Sequence, residues 1–73
     1  MRVELETSGL VCPFPLEEAK EAIAKLNKDD ELVITFDCTQ ATESIPQWAA
    51  ESGYQVIEFE QLGEASWRIV VQK

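Results

Sequence analysis

The sequence has no histidine and only two cysteines, Cys12 and Cys38, in 73 residues. A structural zinc site usually takes four Cys or His ligands, so these residues are too few for one. Two cysteines are also too few for a disulfide scaffold. A low cysteine content of this kind is typical of proteins from a reducing compartment, where thiols stay reduced. We find no apolar run near the ~20 residues that span a bilayer and no signal segment. We therefore expect a cytoplasmic protein with neither a metal nor an organic cofactor.

Basic residues are scarce as well. Six Lys and Arg stand against fourteen Asp and Glu, which gives a net charge of −8. Binding to a phosphate backbone needs a Lys/Arg surface, so nucleic acid is excluded as a direct partner. The charge either keeps the protein soluble or fits a basic surface on a partner.

The hydrophobic pattern predicts a single domain, residues 1–73, with the order β-α-β-α-β-β. Val3 and Leu5 alternate with charged residues in the first strand, and the spacing changes to a helical one from Leu16. We expect Gly53 to end the second helix and Pro46 to lie in its first turn. The predicted elements are strands at 2–7, 31–38, 54–61 and 65–72, helices from Leu16 to about residue 26 and from Thr42 to Ser52, and a hairpin turn at 62–64.

This order predicts an α/β fold, a two-layer sandwich. A helix joins the first two strands, so they should be parallel with a right-handed crossover. The final hairpin makes the four-stranded sheet mixed. Polar and apolar residues alternate along the first two strands, so one face of the sheet should be polar and open to water. Both helices should then cover the other, apolar face.

Cys12 stands directly before Pro13, Phe14 and Pro15, where the first helix should start. Proline is tolerated in the first helical turn, because the N–H groups there lack partners. The two prolines also restrict the backbone on either side of Phe14. A helix start favours an anion, and this would make the thiol of Cys12 more acidic and more reactive. The alternative is a buried, inert cysteine.

The motif C-P-F-P at residues 12–15, after S-G-L at 8–10, resembles the C-P-x-P motif of the TusA/SirA family of small sulfur-carrier proteins. The stretch I-P-Q-W at residues 45–48 is similar to the I-P-x-[WF] segment in their second helix. The resemblance runs from about residue 5 to residue 71. Within the family, residues 36–50 are most similar to the YeeD branch, also called TsuB, whose members accompany YeeE-type (TsuA) membrane transporters of thiosulfate.

The resemblance implies a two-layer α/β sandwich and a sulfur carrier or sulfurtransferase with a persulfide or thiosulfonate on Cys12. The thiolate of Cys12 would attack the outer sulfur of thiosulfate and release sulfite, with Pro13, Phe14 and Pro15 positioning it. It also implies a YeeE/TsuA-like transporter as a peripheral partner at the inner face of the membrane, and a downstream sulfur acceptor protein. The alternatives are a non-catalytic adaptor of the transporter and a thiol–disulfide oxidoreductase that uses both cysteines.

The acidic surface bears on how thiosulfate would arrive. Arg2, Lys20 and Arg68 are among the few cations that could offset the negative charge near a dianion. Repulsion between like charges favours delivery by a partner protein over capture from solution.

Cys38 has two interpretations. It shares its side of the second strand with Leu32, Ile34 and Phe36, which favours a small core residue. The alternative is a resolving thiol that attacks a sulfur-loaded Cys12.

Residues near the second helix start are secondary candidates. Thr39, Gln40 and Thr42 could donate hydrogen bonds to an anion, although ordinary helix capping explains Thr42 equally well. We expect Trp48 and Trp67 to lie in the core or at its edge.

Overall fold

The structure, a computed structural model, describes residues 2–10 and 14–73. The elements follow the predicted order and are β1 (Arg2–Glu6), α1 (Phe14–Ala24), β2 (Glu31–Phe36), α2 (Ala41–Ser52), β3 (Gln55–Gly63) and β4 (Ser66–Gln72). β2 ends earlier than predicted because the chain turns at Cys38, whose carbonyl accepts the N–H of Ala41 at 3.1 Å.

The strands form one mixed sheet in the order β1-β2-β4-β3. β1 and β2 are parallel, with Arg2 opposite Glu31 and Glu6 opposite Thr35. β4 is antiparallel to both β2 and β3. The predicted mixed sheet and its parallel first pair are confirmed.

Both helices pack on the same face of the sheet. The core contains buried residues of α1 and α2 together with alternate residues of β2 and β4; these are Ala19, Ile23, Leu32, Ile34, Phe36, Ala41, Ile45, Ala49, Ile69 and Val71. Trp48 and Trp67 are partly buried against this cluster, as expected, and Trp67 stacks on Phe36 with ring centroids 5.8 Å apart. The two-layer arrangement is therefore confirmed. Within the described residues, neither helix is long and apolar enough to cross a membrane.

The hairpin between β3 and β4 is tighter than predicted. β3 continues to Gly63, which pairs with Ser66, so the turn consists of Glu64 and Ala65 rather than residues 62–64. Two-residue connections are the commonest in hairpins, because their twist matches that of the strands. The glycine therefore belongs to the strand end and not to the turn.

β3 lies at the edge of the sheet and is irregular. Its register shifts between Val56 and Glu58 and again between Gln61 and Gly63. The first shift inserts an extra residue, so Val56 and Phe59 are three positions apart yet face the same side. Phe59 reaches the core edge, where its ring meets that of Phe36 at 6.4 Å.

Pro46 lies inside α2 and not in its first turn, so this prediction is wrong. The N–H groups of Ala41, Thr42 and Glu43 already bond to carbonyls three residues earlier, which shows that the winding starts in the preceding turn. Pro46 consequently falls beyond the first turn. Gly53 ends α2 with φ of 83°, and the predicted glycine cap is confirmed.

The open face of the sheet buries two valines. Val33 is 3% exposed and Val70 is fully buried, although both point away from the helices. Arg2 on β1 pairs with Glu58 on β3 at 3.8 Å, and Arg68 pairs with the same carboxylate at 4.0 Å. These side chains cross β2 and β4, because β1 and β3 are the outer strands. The open face is thus a layer of ion pairs over an apolar strip.

Candidate functional site at the carboxyl ends of β1 and β2

The chain leaving β1 is fixed to the end of β2. Thr7 donates both its backbone N–H and its hydroxyl to the carbonyl oxygen of Thr35, at 2.8 and 2.7 Å. Thr7 is 1% exposed, so these bonds are shielded from water. In parallel α/β sheets, ligands lie beyond the carboxyl ends of the strands, and this is such an end.

A turn at residues 7–10 follows. The N–H of Leu10 bonds to the carbonyl of Thr7 at 3.1 Å, and Gly9 has φ of 89°, a left-handed conformation that favours glycine. The N–H of Gly9 donates to a carboxylate oxygen of Asp37 at 2.9 Å. Asp37 follows β2, so this bond ties the chain that leads to residue 12 to the segment that leads to Cys38.

Hydrogen bonding also affects an acid at this end of β1. The carboxylate of Glu6 accepts the N–H of Ser8 at 2.9 Å. The hydroxyl of Ser8, and secondly its N–H, lower the pKa of Glu6. The carboxylate therefore stays ionised, and the turn beside the candidate thiol carries negative charge.

Two of the predicted site residues, Cys12 and Pro13, lie outside the described residues. The other two residues of the motif begin α1. Phe14 is 52% exposed, whereas Pro15 is fully buried. The apolar ring of Phe14 is thus a part of the motif that faces water, while Pro15 fixes the helix start against the core.

Cys38 lies in the turn between β2 and α2. It is partly buried and packs against the core cluster, and its sulfur is disulfide-bonded. Although Cys38 lies beyond the end of β2, it packs on the core side, as its shared parity with Leu32, Ile34 and Phe36 predicted. Its place at the core edge agrees with the first interpretation of Cys38, and the resolving role stays a prediction.

The three polar candidates near α2 differ in what they contact. The hydroxyl of Thr42 donates to the carbonyl of Thr39 at 2.6 Å, so it closes the turn before α2 instead of capping the helix. Gln40 occupies the cap position without a side-chain hydrogen bond. Thr39 and Gln40 are exposed. An anion could reach both side chains, while the proton of Thr42 is already engaged.

The cations that could offset a dianion are not all near this end. Arg2 pairs with Glu31 at 2.6 Å at the opposite end of the sheet, and this hydrogen bond raises its pKa. Arg68 lies opposite Thr35, closer to the site, but pairs with Glu60 at 3.3 Å. Lys20 is exposed on α1. Repulsion of a free dianion is therefore only weakly offset.

Asp37 was missed by sequence reasoning, although a signal existed. Once β1 and β2 are taken as parallel with Arg2 opposite Glu31, the register carries Ser8 to the level of Asp37. The turn that contains Ser8 and Gly9 then lies beside the carboxylate of Asp37 at the end of the β1–β2 pair. Within residues 2–10 and 14–73 no cavity is enclosed and no group of three or more potential metal ligands forms.

The comparisons with known proteins agree with this architecture. The family model described as sulfurtransferase TusA matches residues 3–73, so the chain belongs to the TusA family. A proposed sulfur carrier protein of Escherichia coli (strain K12), TsuB, is 59% identical over 70 residues, covering 96% of this chain and 93% of the relative. A proposed sulfur carrier protein of Methanocaldococcus jannaschii is 36% identical over 70 residues, covering 96% and 92%.

A solved structure supports the fold. The crystal structure of the SirA-like protein from Desulfitobacterium hafniense superposes with a TM-score of 0.84, covering 99% of this chain and 96% of that chain. Its sequence is 23% identical, so this likeness concerns the fold alone.

Proposed function

We propose that this chain is a sulfur carrier with sulfurtransferase activity, in which the thiolate of Cys12 takes the outer sulfur of thiosulfate and releases sulfite. The observation that carries the proposal is the family match, which runs across the C-P-F-P motif at residues 12–15. The relatives' descriptions as proposed sulfur carriers support the same activity.

The described flanks of the motif support a surface-exposed reaction. The bond from Gly9 to Asp37 fixes the chain before the motif, and the burial of Pro15 fixes the last residue of the motif. Phe14 is half-exposed and begins α1. A helix start stabilises a nearby anion, and Cys12 stands two positions before Phe14 in the sequence. A short segment held at both ends is suited to present a thiolate to a small sulfur donor or to another protein.

We further propose that thiosulfate arrives through a membrane transporter of the YeeE/TsuA type, with this chain at the cytoplasmic side, and that sulfur leaves to an acceptor protein. Acidic residues around the site support this route, because they repel a free dianion. Asp37 and Glu6 accept hydrogen bonds from the turn, and Glu17 and Glu43 lie in the first turns of α1 and α2.

The test is a single turnover with thiosulfate, followed by intact mass and sulfite. The reduced protein should release one sulfite per chain and carry one added sulfur atom at the earliest times, since cleavage of one S–S bond yields both products. Cys12→Ser should do neither, whereas the control Ser52→Ala, at the far end of α2, should behave as the parent. Loading of Cys12→Ser at the parental rate would contradict the proposal, as would full support of thiosulfate uptake by that variant, which an adaptor would give.

A thiol–disulfide oxidoreductase is the second candidate, because Cys38 is disulfide-bonded. An enzyme of this kind would oxidise a dithiol substrate without producing sulfite or sulfide. Measuring both products during dithiol oxidation separates the two functions.

A further inference from the structure

The disulfide at Cys38 is the feature that the proposed function does not use. The sequence contains one other cysteine, Cys12, so it offers one intramolecular partner for the sulfur of Cys38. We propose that Cys38 is a resolving thiol, which attacks sulfur-loaded Cys12 and releases the carried sulfur as sulfide; this inference rests on the proposed function.

The described residues bring the two segments close together. Thr7 and Gly9 donate hydrogen bonds to Thr35 and Asp37. Cys38 follows Asp37 directly. Residue 12 follows Gly9 by three positions, which an extended chain spans in at most about 11 Å. These hydrogen bonds hold the two segments together independently of any bond between sulfur atoms.

The surroundings of Cys38 suit a resolving thiol. Its carbonyl accepts the N–H of Ala41, which fixes the backbone, and its side chain packs against the core at partial exposure. A fixed backbone limits the directions that the sulfur can take, while partial exposure leaves the residue accessible to the reductant that must later open the disulfide. Thiol–disulfide exchange requires access to the attacked sulfur as well as a thiolate.

The step balances in atoms and electrons. The thiolate of Cys38 attacks Sγ of Cys12 in the persulfide, and the bond between that sulfur and the outer sulfur breaks. The outer sulfur leaves with the electron pair as hydrosulfide and is reduced. The two cysteine sulfurs are oxidised to a disulfide. A dithiol protein or a small thiol must then reduce the disulfide before another turnover.

This proposal assigns two modes of sulfur delivery to one carrier. When an acceptor protein engages Cys12 first, the sulfane sulfur passes on directly. When none does, Cys38 discharges it as sulfide, and the oxidised chain waits for a reductant. The thiol state of the cell would then decide how quickly the carrier returns to use.

The experiment follows sulfide and intact mass after one turnover of fully reduced protein with thiosulfate, without added thiol. The parent should release close to one sulfide per chain and end lighter than the reduced chain by two hydrogen atoms. Cys38→Ser and Cys38→Ala should retain a chain heavier by one sulfur and release sulfide at least ~10-fold more slowly, since no thiol is left to displace it. Ser44→Ala, a neighbouring substitution on α2, should match the parent.

Two results would overturn the inference. One is release of sulfide from both Cys38 variants at the parental rate. The other is a parent that keeps its extra sulfur and never loses the two hydrogens. Failure of the proposed function looks different, because no sulfite appears with thiosulfate. In that case inorganic polysulfide loads the thiol instead, and the same comparison of parent and Cys38 variants decides the inference.

Discussion

The two faces of the sheet bury apolar side chains in different ways. On the covered face, Ile34 and Phe36 of β2 contact other apolar side chains from both helices and β4. On the open face, Val33 and Val70 are buried beneath Arg and Glu side chains that pair across the sheet. Burial alone therefore does not measure how much a residue stabilises this fold, because the covering layer differs between the faces.

The largest effect should come from the covered face. Phe36→Ala removes a fully buried ring that stacks on Trp67, and we expect a loss of about 3–5 kcal/mol in the free energy of unfolding. Chemical denaturation with two spectroscopic probes measures it. A loss below about 1 kcal/mol would mean that the covered face collapses around the gap. Phe14→Ala, which removes a half-exposed ring, is the matched control and should change stability little.

An open-face valine should cost less. Val70→Ala removes a fully buried side chain, and we expect a loss of about 2 kcal/mol, from about 0.8 kcal/mol per buried methylene plus a small cavity. Flexible ionic side chains can move over the gap, whereas packed helices cannot. Val56→Ala, at 39% exposure on the edge strand, is the control and should lose clearly less. Equal losses for Val70→Ala and Phe36→Ala would erase the distinction between the faces.

Most of the fold could be predicted from local pattern. Alternation in β1 and β2 and the helical spacing from Leu16 predict the layers and the covered face. The burial of Val33 and Val70 could not be predicted, because it depends on side chains from β1 and β3 that meet across two intervening strands. The prediction that Pro46 lies in the first turn of α2 was wrong for a related reason. The turn at Cys38 starts the helix before the helical spacing of apolar residues begins in the sequence.

The candidate site likewise has one part that the local sequence predicts and another part that it does not. The C-P-F-P motif is contiguous, so the sequence identifies it directly. The bond between Gly9 and Asp37 and the disulfide at Cys38 join residues distant in the chain. Strand parity predicted the side that Cys38 occupies, but no local signal could give the state of its sulfur.

The ion pairs over the open face should contribute little by themselves. Glu58→Gln removes the carboxylate shared by Arg2 and Arg68, and we expect a change below about 1 kcal/mol that shrinks further in high salt. The Nε of Arg68 is buried with no hydrogen-bond partner among the described residues, which offsets part of the gain from its ion pairs. Denaturation midpoints at low and high salt test this, with Glu51→Gln on α2 as control. A loss as large as that of Val70→Ala would make the ionic layer a principal source of stability.

The smallest effect concerns pH. Hydrogen bonds from Ser8 lower the pKa of Glu6 in the folded protein. The stability that this provides is present above the unfolded pKa of a glutamate, about 4.3, and is lost as pH falls through the lower folded pKa. Glu6→Gln should therefore lose less stability than the parent on acidification through that window. Thermal melting at several pH values measures the difference, and a steeper loss in the variant would contradict the assignment.

The irregular edge of β3 has a consequence for behaviour in a crowded cell. An exposed edge strand with apolar side chains is a template on which a second chain can pair and begin to aggregate. Ile57, Phe59 and Leu62 are exposed on β3, but the register shifts leave only residues 58–61 as a regular stretch. That stretch is shorter than an ordinary strand of about five or six residues and carries Glu58 and Glu60. A neighbouring chain therefore finds too little straight, uncharged edge on β3 to extend as a sheet.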